Sequence, residues 1–313
     1  MTLWRPAAAA LVALLALLAL LAPGFFDPAN LRDVVIASAM VQIIAVGMTM
    51  VILTGQVDVS VGAIAGVCAV VTAVLAREGV PAPLAALAAA ALGGAIGLLS
   101  GTLVTRLRIH SIVVTLALLV ILRDALRWST DGAWISDLPA GFQWFGLGQA
   151  AGQTGLLLAT TAAVAAGAWL LHSTQLGRAT VATGSDVESA RLLGLRPERV
   201  VTTAFAASGL LAGVAGALNA ARFAEVPGIV PAGLEIKVIA AVIVGGTAIT
   251  GGRGSMTGTV LGVALLGAIG TGLTFLGVSA YWERAIQGAI ILAAILLETF
   301  RRVPRRTAVA SHA

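Results

Sequence analysis

The sequence predicts an all-α polytopic membrane protein, and three observations carry that prediction. Hydrophobic residues make up 59% of the 313 residues and charged residues only 11%, against about 25% charged in soluble domains. The mean hydropathy is +1.01, and the apolar residues gather into runs near the roughly 20 residues that cross about 30 Å of hydrocarbon. Those runs lack the period-two alternation of a β-barrel, and in lipid only a helix satisfies its own backbone groups within one segment.

Ten runs emerge in order: 6–25, 34–54, 59–76, 82–105, 111–130, 153–171, 200–221, 238–251, 256–277 and 280–300. The first also reads as a signal peptide, with Arg5 as its basic region. It lacks a clean small-residue cleavage site before Pro23, and nine later spans need no such signal, so the uncleaved helix is the preferred reading. Ten spans place both ends on one side. With the N-terminus inside, twelve of the nineteen basic residues fall on the cytoplasmic side and seven outside. The positive-inside rule therefore sets the termini in the cytoplasm. Nine of the fourteen acids, Glu235 among them, are then counted at outer ends.

The isoelectric point near 10.9 comes from arginines at the ends of apolar runs. Lys237 is the only lysine, so nucleic acid is not a predicted partner. His110, His172 and His312 are far apart and Cys68 is the single cysteine, which predicts neither a metal site nor an internal disulfide.

Two loops stand out. Residues 131–152 form an outer loop with Trp134, Phe142, Trp144 and Phe145 as interfacial aromatics, and 172–199 is the longest cytoplasmic segment. Inside the latter, Ser185 or Asp186 reads as an N-cap, with Glu188 in the first turn, Leu192 and Leu193 apolar, and Gly194 at the end. The whole chain, 1–313, reads as one transmembrane domain with the 172–199 segment within it. Small residues recur every fourth position at Gly93, Gly97 and Gly101, at Gly209 and Gly213, and at Gly258 and Gly262. Such stripes let helix backbones approach closely.

Two stretches break the pattern. Run 238–251 has 14 residues and reaches only about 21 Å as a helix. It holds Gly245, Gly246 and Thr247, so the chain near 245–255 reads as a broken helix lining a cavity. The stretch "TGQVDVSVG" at 54–62 is the second break, with Thr54, Gln56, Asp58 and Ser60 between two apolar runs. Asp58 has three readings: an N-cap bonding the amides of Ser60, Val61 and Gly62, a lining of a polar path, or a proton-coupling acid. Arg123 lies about 18 Å along its span. It either faces the bundle interior and marks a pathway, or snorkels outward beside an Asp124–Arg127 pair.

At these residues the chain resembles a known family. "TGQVDVSVGAIAGVCAV" (54–70), "GRATVATGSDVESARLLGL" (177–195), "GLEIKVIAAVIVGGTAITGGRGSMTGTVLG" (233–262) and Gly277–Ala293 are similar to the membrane permeases of bacterial ABC importers for monosaccharides. Within that group the chain is most similar to the rhamnose and autoinducer-2 permeases, and the wording of "DVSVG", "DGAWISDLP" (131–139) and "RATVATGS" leans toward autoinducer-2, while Gln56-Val57 departs from the Gly-Ile that many members carry. The resemblance spans essentially the whole chain. It implies an inner-membrane importer with two permeases, identical or homologous, separate ATP-binding subunits and a periplasmic sugar-binding protein. ATP and Mg would be bound by the partner, with no cofactor in this chain. It also implies that the 172–199 loop couples to the ATPase through Gly184, Asp186, Glu188, Ala190, Leu192, Leu193 and Gly194. The expected substrate path holds Thr54, Gln56, Asp58, Ser60, Arg123, Gly245, Gly246 and Thr247.

The chain has no phosphate-cradling G-x-x-x-x-G-K-[ST], so it is not expected to be an enzyme. Two further readings stand beside the importer. One is an ion-coupled secondary carrier titrating Asp58 or Asp124. The other, within the family, is a branched-chain amino acid permease, whose zwitterionic substrate calls for charge at the site.

Overall fold

The computed structural model describes residues 4–230 and 232–278, together with positions 282, 285, 286, 288, 289 and 292. The predicted tenth span, 280–300, therefore lies largely outside the described residues. Within them the helices are α1 (Arg5–Leu21), α2 (Pro28–Leu53), α3 (Val61–Arg77), α4 (Ala82–Arg106), α5 (Ser111–Thr130), α6 (Gln149–Ser173), α7 (Gln175–Ser185), α8 (Val187–Leu192), α9 (Pro197–Ala220), α10 (Leu234–Val244) and α11 (Met256–Phe275). Two short strands, β1 (Trp134–Ile135) and β2 (Val226–Pro227), pair antiparallel with Trp134 opposite Pro227.

By length and composition α2, α4, α6, α9 and α11 can each cross a membrane, and α1 and α3 are shorter apolar helices. Their ends are set by local chemistry. Asp27 accepts the Ala29 amide at 3.0 Å ahead of Pro28, a residue preferred in a first turn. Ser255 accepts the Gly258 amide at 3.0 Å to start α11.

α2 is the central rod. Every residue from Val41 to Leu53 is buried, and α9, α11, α6 and α10 pack around it. The glycine stripes are where the backbones meet. On α4, Gly93 and Gly97 lie against Gly209 and Gly213 of α9, and a Cβ on Gly97 would overlap the Phe205 carbonyl. Gly258 and Gly262 of α11 meet Gly245 and Ala241 of α10 in the same way. Buried hydroxyls add cross-links, Thr49 of α2 to Thr259 of α11 at 2.7 Å among them. Leu84, Leu87, Leu98 and Leu99 on α4, and Leu158 and Trp169 on α6, point outward, as lipid-facing side chains do.

The connections gather at two poles. At one pole the 131–148 loop leans on the end of α9: the Trp144 amide donates to the Ala221 carbonyl and Thr130 Oγ1 donates to the Gly228 carbonyl at 2.8 Å. Phe142 is buried there while Trp134 is exposed, so the aromatics of this loop do not all sit at an interface as expected. At the opposite pole lie residues 54–60, 172–199 and 245–255. The 172–199 segment is more ordered than its sequence suggested, because α7 precedes the short α8. Thr174 caps α7 by accepting the Gly177 amide at 3.2 Å.

The α4–α9 seam gives a direct test. Gly97→Val places branched atoms inside the Phe205 backbone and should prevent a monodisperse fold or lower its thermal midpoint sharply. Gly155→Ala in α6, where a Cβ meets nothing within 4 Å, should leave stability unchanged or raise it by up to about 1 kcal/mol. Thermal unfolding of both variants in lipid nanodiscs checks the contrast.

Candidate functional site

The first break follows from how α2 stops. Thr54 turns its hydroxyl back to the Val51 carbonyl at 2.7 Å, and Gly55 takes φ +78°, a left-handed conformation that costs a glycine little. Beyond it the Val57 amide donates to Ser111 Oγ at 3.2 Å on α5. Asp58 is fully buried. Its Oδ1 accepts both the amide and the hydroxyl of Ser60, at 2.9 and 2.6 Å. The expected bonds to Val61 and Gly62 do not form. Ser60 itself holds the N-cap position of α3, and Asp58 fixes the turn two residues earlier. Its Oδ2 is buried with no hydrogen-bond partner among the described residues.

The second break is a Schellman stop. The Gly246 amide donates to Ile243 and the Thr247 amide to Val242, at 2.9 and 3.2 Å, with Gly246 at φ +96°. α10 thus ends after eleven residues, about 16 Å of rise. The expected run to 251 is a helix only to Val244, because glycine satisfies the last carbonyls and lets the chain leave. Thr247 is buried and its hydroxyl has no partner among the described residues.

The two breaks, read separately from the sequence, meet in space. The Gly252 amide donates to the Leu53 carbonyl at 2.9 Å. A Cβ on Gly251 would fall 2.6 Å from the Gly55 nitrogen and 3.0 Å from Gly184 Cα. Gly184, near the end of α7, packs on the Leu53 carbonyl so closely that a side chain would overlap it. The root of the 172–199 segment is therefore seated on both broken spans.

Deeper in the bundle, Arg123 of α5 turns inward. Its guanidinium lies 3.4 Å from Glu235 Oε1 on α10, and no Asp124–Arg127 ion pair forms. The Glu235 side chain is only 6% exposed, so this acid, counted at an outer end, is packed inside the protein rather than facing water. Oε1 also accepts the Gly233 amide at 3.3 Å. Gly62, in the first turn of α3, leaves the room: a Cβ there would sit 2.5 Å from Glu235 Oε2. Glu235 Oε2 and Arg123 Nε are buried without hydrogen-bond partners among the described residues. Buried orphan polar atoms are rare in folded proteins, and here they recur at Asp58, Arg123, Glu235 and Thr247.

α8 hangs from this junction. Asp186, not Ser185, is its cap: Oδ1 accepts the Glu188 and Ser189 amides at 2.9 and 3.2 Å and Oδ2 the Ser189 hydroxyl at 2.7 Å. Those bonds hold its carboxyl below the usual carboxylate range, the Ser189 hydroxyl contributing most, so the cap is charged at neutral pH. Gly194 at φ +79° closes the helix, with its amide on Arg191 and that of Leu195 on Ala190, at 2.9 and 3.1 Å. Arg191 bridges Glu188 and Glu198, tying α8 to the first turn of α9. Ala190 is fully buried, whereas Leu192 and Leu193 are 84% and 77% exposed.

The family model for the branched-chain amino acid transport system / permease component matches residues 30–295. This chain belongs to that family. The permease is also 34% identical over 284 residues to the ribose import permease protein of Escherichia coli K12, covering 88% of each chain. It is 37% identical over 281 residues to the autoinducer 2 import system permease protein of Escherichia coli K12 / DH10B, covering 88% of this chain and 82% of that one.

The structure brings Leu53 and Gly55 against Thr250–Gly252 of the second break and places Gly184 against both, while among the described residues Asp58 bonds only within its own turn, to Ser60. Arg123 sits apart, on Glu235. Reading the sequence missed Glu235 and the length of α7. The signal for Glu235 was an acid at the head of a short, glycine-stopped helix, but its partner is 112 residues away.

Removing one member of this ion pair should be worse than removing both. Arg123→Leu leaves a buried carboxylate uncompensated, a loss near the lower end of about 3–5 kcal/mol because Arg123 is partly exposed. Adding Glu235→Leu should recover most of that stability. Unfolding midpoints of the single and double variants decide it. Equal midpoints would mean the pair carries no structural weight.

Proposed function

We propose that this permease is the membrane-spanning subunit of an ATP-driven importer in the bacterial inner membrane, carrying a monosaccharide-like substrate of the ribose, rhamnose or autoinducer-2 kind. A separate ATP-binding subunit, which holds ATP and Mg, drives it. A second permease, identical or homologous, completes the path, and a periplasmic sugar-binding protein delivers the substrate. The names of its relatives support the substrate class. The observation that carries the mechanism is α8: a short helix clamped at both ends, displaying two adjacent leucines to water, on a stalk seated against both broken spans.

A six-residue helix has little surface of its own in which to hide them. Burying each leucine in a partner's groove contributes about 1.5–3 kcal/mol. Gly184 then links motion of that helix to Leu53 and Gly252, and so to the ends of α2 and α10. In this reading the polar atoms of Asp58, Thr247 and the Arg123–Glu235 pair flank the route of a hydroxyl-rich substrate.

The family's description supports a second reading, a branched-chain amino acid substrate. The charges such a zwitterion would need are engaged with each other at Arg123 and Glu235, which favours the sugar. An ion-coupled carrier would have no use for the exposed leucines of α8.

Replacing Leu192 and Leu193 together by Asp should release the ATPase from the purified complex, or leave its hydrolysis indifferent to delivered substrate, while membrane expression persists. Co-purification and uptake at the wild-type rate would sink the proposal. Sidedness has its own check. In a Cys68→Ser background, cysteine at Asp131 should react with an impermeant maleimide added outside intact cells. Cysteine at Glu188 should react only after the membrane is opened. The reverse pattern would overturn the topology.

A further inference from the structure

At the pole opposite α8, the start of α2, the 140–149 loop, the first turns of α6 and the end of α9 line an open cleft of about 680 Å³, within the range of small-molecule pockets. It lies away from both broken spans, and nothing in the importer reading uses it. Asp33 lines one side and Arg222 another, with Gln149 and Gln153 one helical turn apart on α6.

Three features make this a formed site. The loop is locked down, because the Trp144 amide donates to the Ala221 carbonyl and Gln143 Nε2 donates to the Arg222 carbonyl at 3.1 Å. Trp144 and Phe145 are held at φ +52° and +53°, a conformation non-glycine residues rarely adopt, and Trp144 is among the residues that line the pocket. Arg222 stacks over the Phe223 ring at 5.4 Å. Burial lowers its pKa while the Asp33 carboxylate opposes that shift, yet the two do not close into an ion pair. An acid and a guanidinium stand near each other with hydrogen-bonding capacity left over.

The lining selects a chemistry. Gln143, Gln149 and Gln153 offer donors and acceptors, Asp33 accepts, Arg222 donates, and Trp144 and Phe223 supply ring surface. An anion would meet Asp33 and a cation would meet Arg222, so neither charge is favoured. A neutral molecule with several vicinal hydroxyls uses every group, the carboxylate and the guanidinium each able to take a pair of hydroxyls and an aromatic face covering the C–H side. We infer that this cleft is an entry vestibule that binds a neutral polyol of monosaccharide size before it reaches the broken spans. The inference rests on the reading of this permease as a sugar importer, and deepens it by naming where the substrate first rests.

The test uses the full chain in lipid nanodiscs, since maltoside detergent has a polyol head group of its own. Saturation-transfer NMR titrates D-ribose and L-rhamnose, with D-ribose 5-phosphate as the charged competitor. At least one neutral sugar should bind the wild type, and Asp33→Asn and Arg222→Gln should each weaken it about tenfold, the loss of one charge-assisted hydrogen bond. The phosphate ester should not displace it. Binding by neither sugar, unchanged affinity in both variants, or displacement by the phosphate ester would each overturn the vestibule. Asp33 and Arg222 form no ion pair among the described residues, and native unfolding midpoints establish that both variants fold. Uptake by the intact importer separates the two levels. Sugar uptake with the wild-type KM in both variants removes the vestibule alone, whereas L-leucine uptake without sugar uptake removes the sugar reading itself.

Discussion

Hydrocarbon offers no hydrogen bonds, so any backbone that leaves helical geometry inside a membrane protein has to be covered by protein or reach water. That constraint organises this molecule. Two spans are interrupted, after Leu53 and after Val244, and each interruption frees carbonyls and amides. They are satisfied partly by local caps and partly by each other, through the bond from the Gly252 amide to the Leu53 carbonyl. The approach is possible because Gly55, Gly184 and Gly251 have no side chains to hold the three strands of backbone apart. Any bulkier residue there would separate the broken spans and expose their polar groups.

The same logic applies between intact helices. Lipid tails are as apolar as leucine, so helix association in the bilayer depends on close packing and a few interhelical hydrogen bonds. The glycine seam between α4 and α9, the α10–α11 crossing and the Thr49–Thr259 bond supply both. α2 is held inside this shell, which is why it is buried at every position along its second half. The Arg123–Glu235 pair joins α5 to α10 across the first turn of α3. A desolvated pair of this kind is weak evidence of stability. Its value here is in setting where α10 begins relative to α5.

Mechanically, these features connect α8 to both broken spans. α8 is rigid for its size because both ends are capped and Arg191 ties it to α9. It joins α7, α7 ends on Leu53, and Leu53 is bonded to the loop that follows α10. A push on α8 is thus transmitted by packed backbone rather than by flexible side chains, and interiors packed this closely deform little. In the proposed importer, that chain of contacts would let an ATPase act on the spans that carry Asp58 and Thr247.

The class of fold was legible in composition and run length, because the need to cross about 30 Å of hydrocarbon is a one-dimensional requirement. The breaks at 54–62 and near 245 were legible too, since glycine and polar residues cannot continue an apolar helix without cost. The cap and stop of α8 could be read for the same reason: Asp186 and Gly194 act within a few residues of themselves. What a local pattern could not supply was partnership. Arg123 and Glu235 are 112 residues apart, and their pairing exists only because α5 and α10 flank the first turn of α3. Of the three amides expected for Asp58 only that of Ser60 is bonded, because the turn bends back on Ser60, whose hydroxyl takes the same carboxylate oxygen. The meeting of Gly55, Gly184 and Gly251 joins three distant glycines, each ordinary by itself. Local backbone chemistry was written in the sequence. Which buried polar groups face one another was decided by the packing of helices, where the energy of a contact depends on positions the chain reaches only once it has folded.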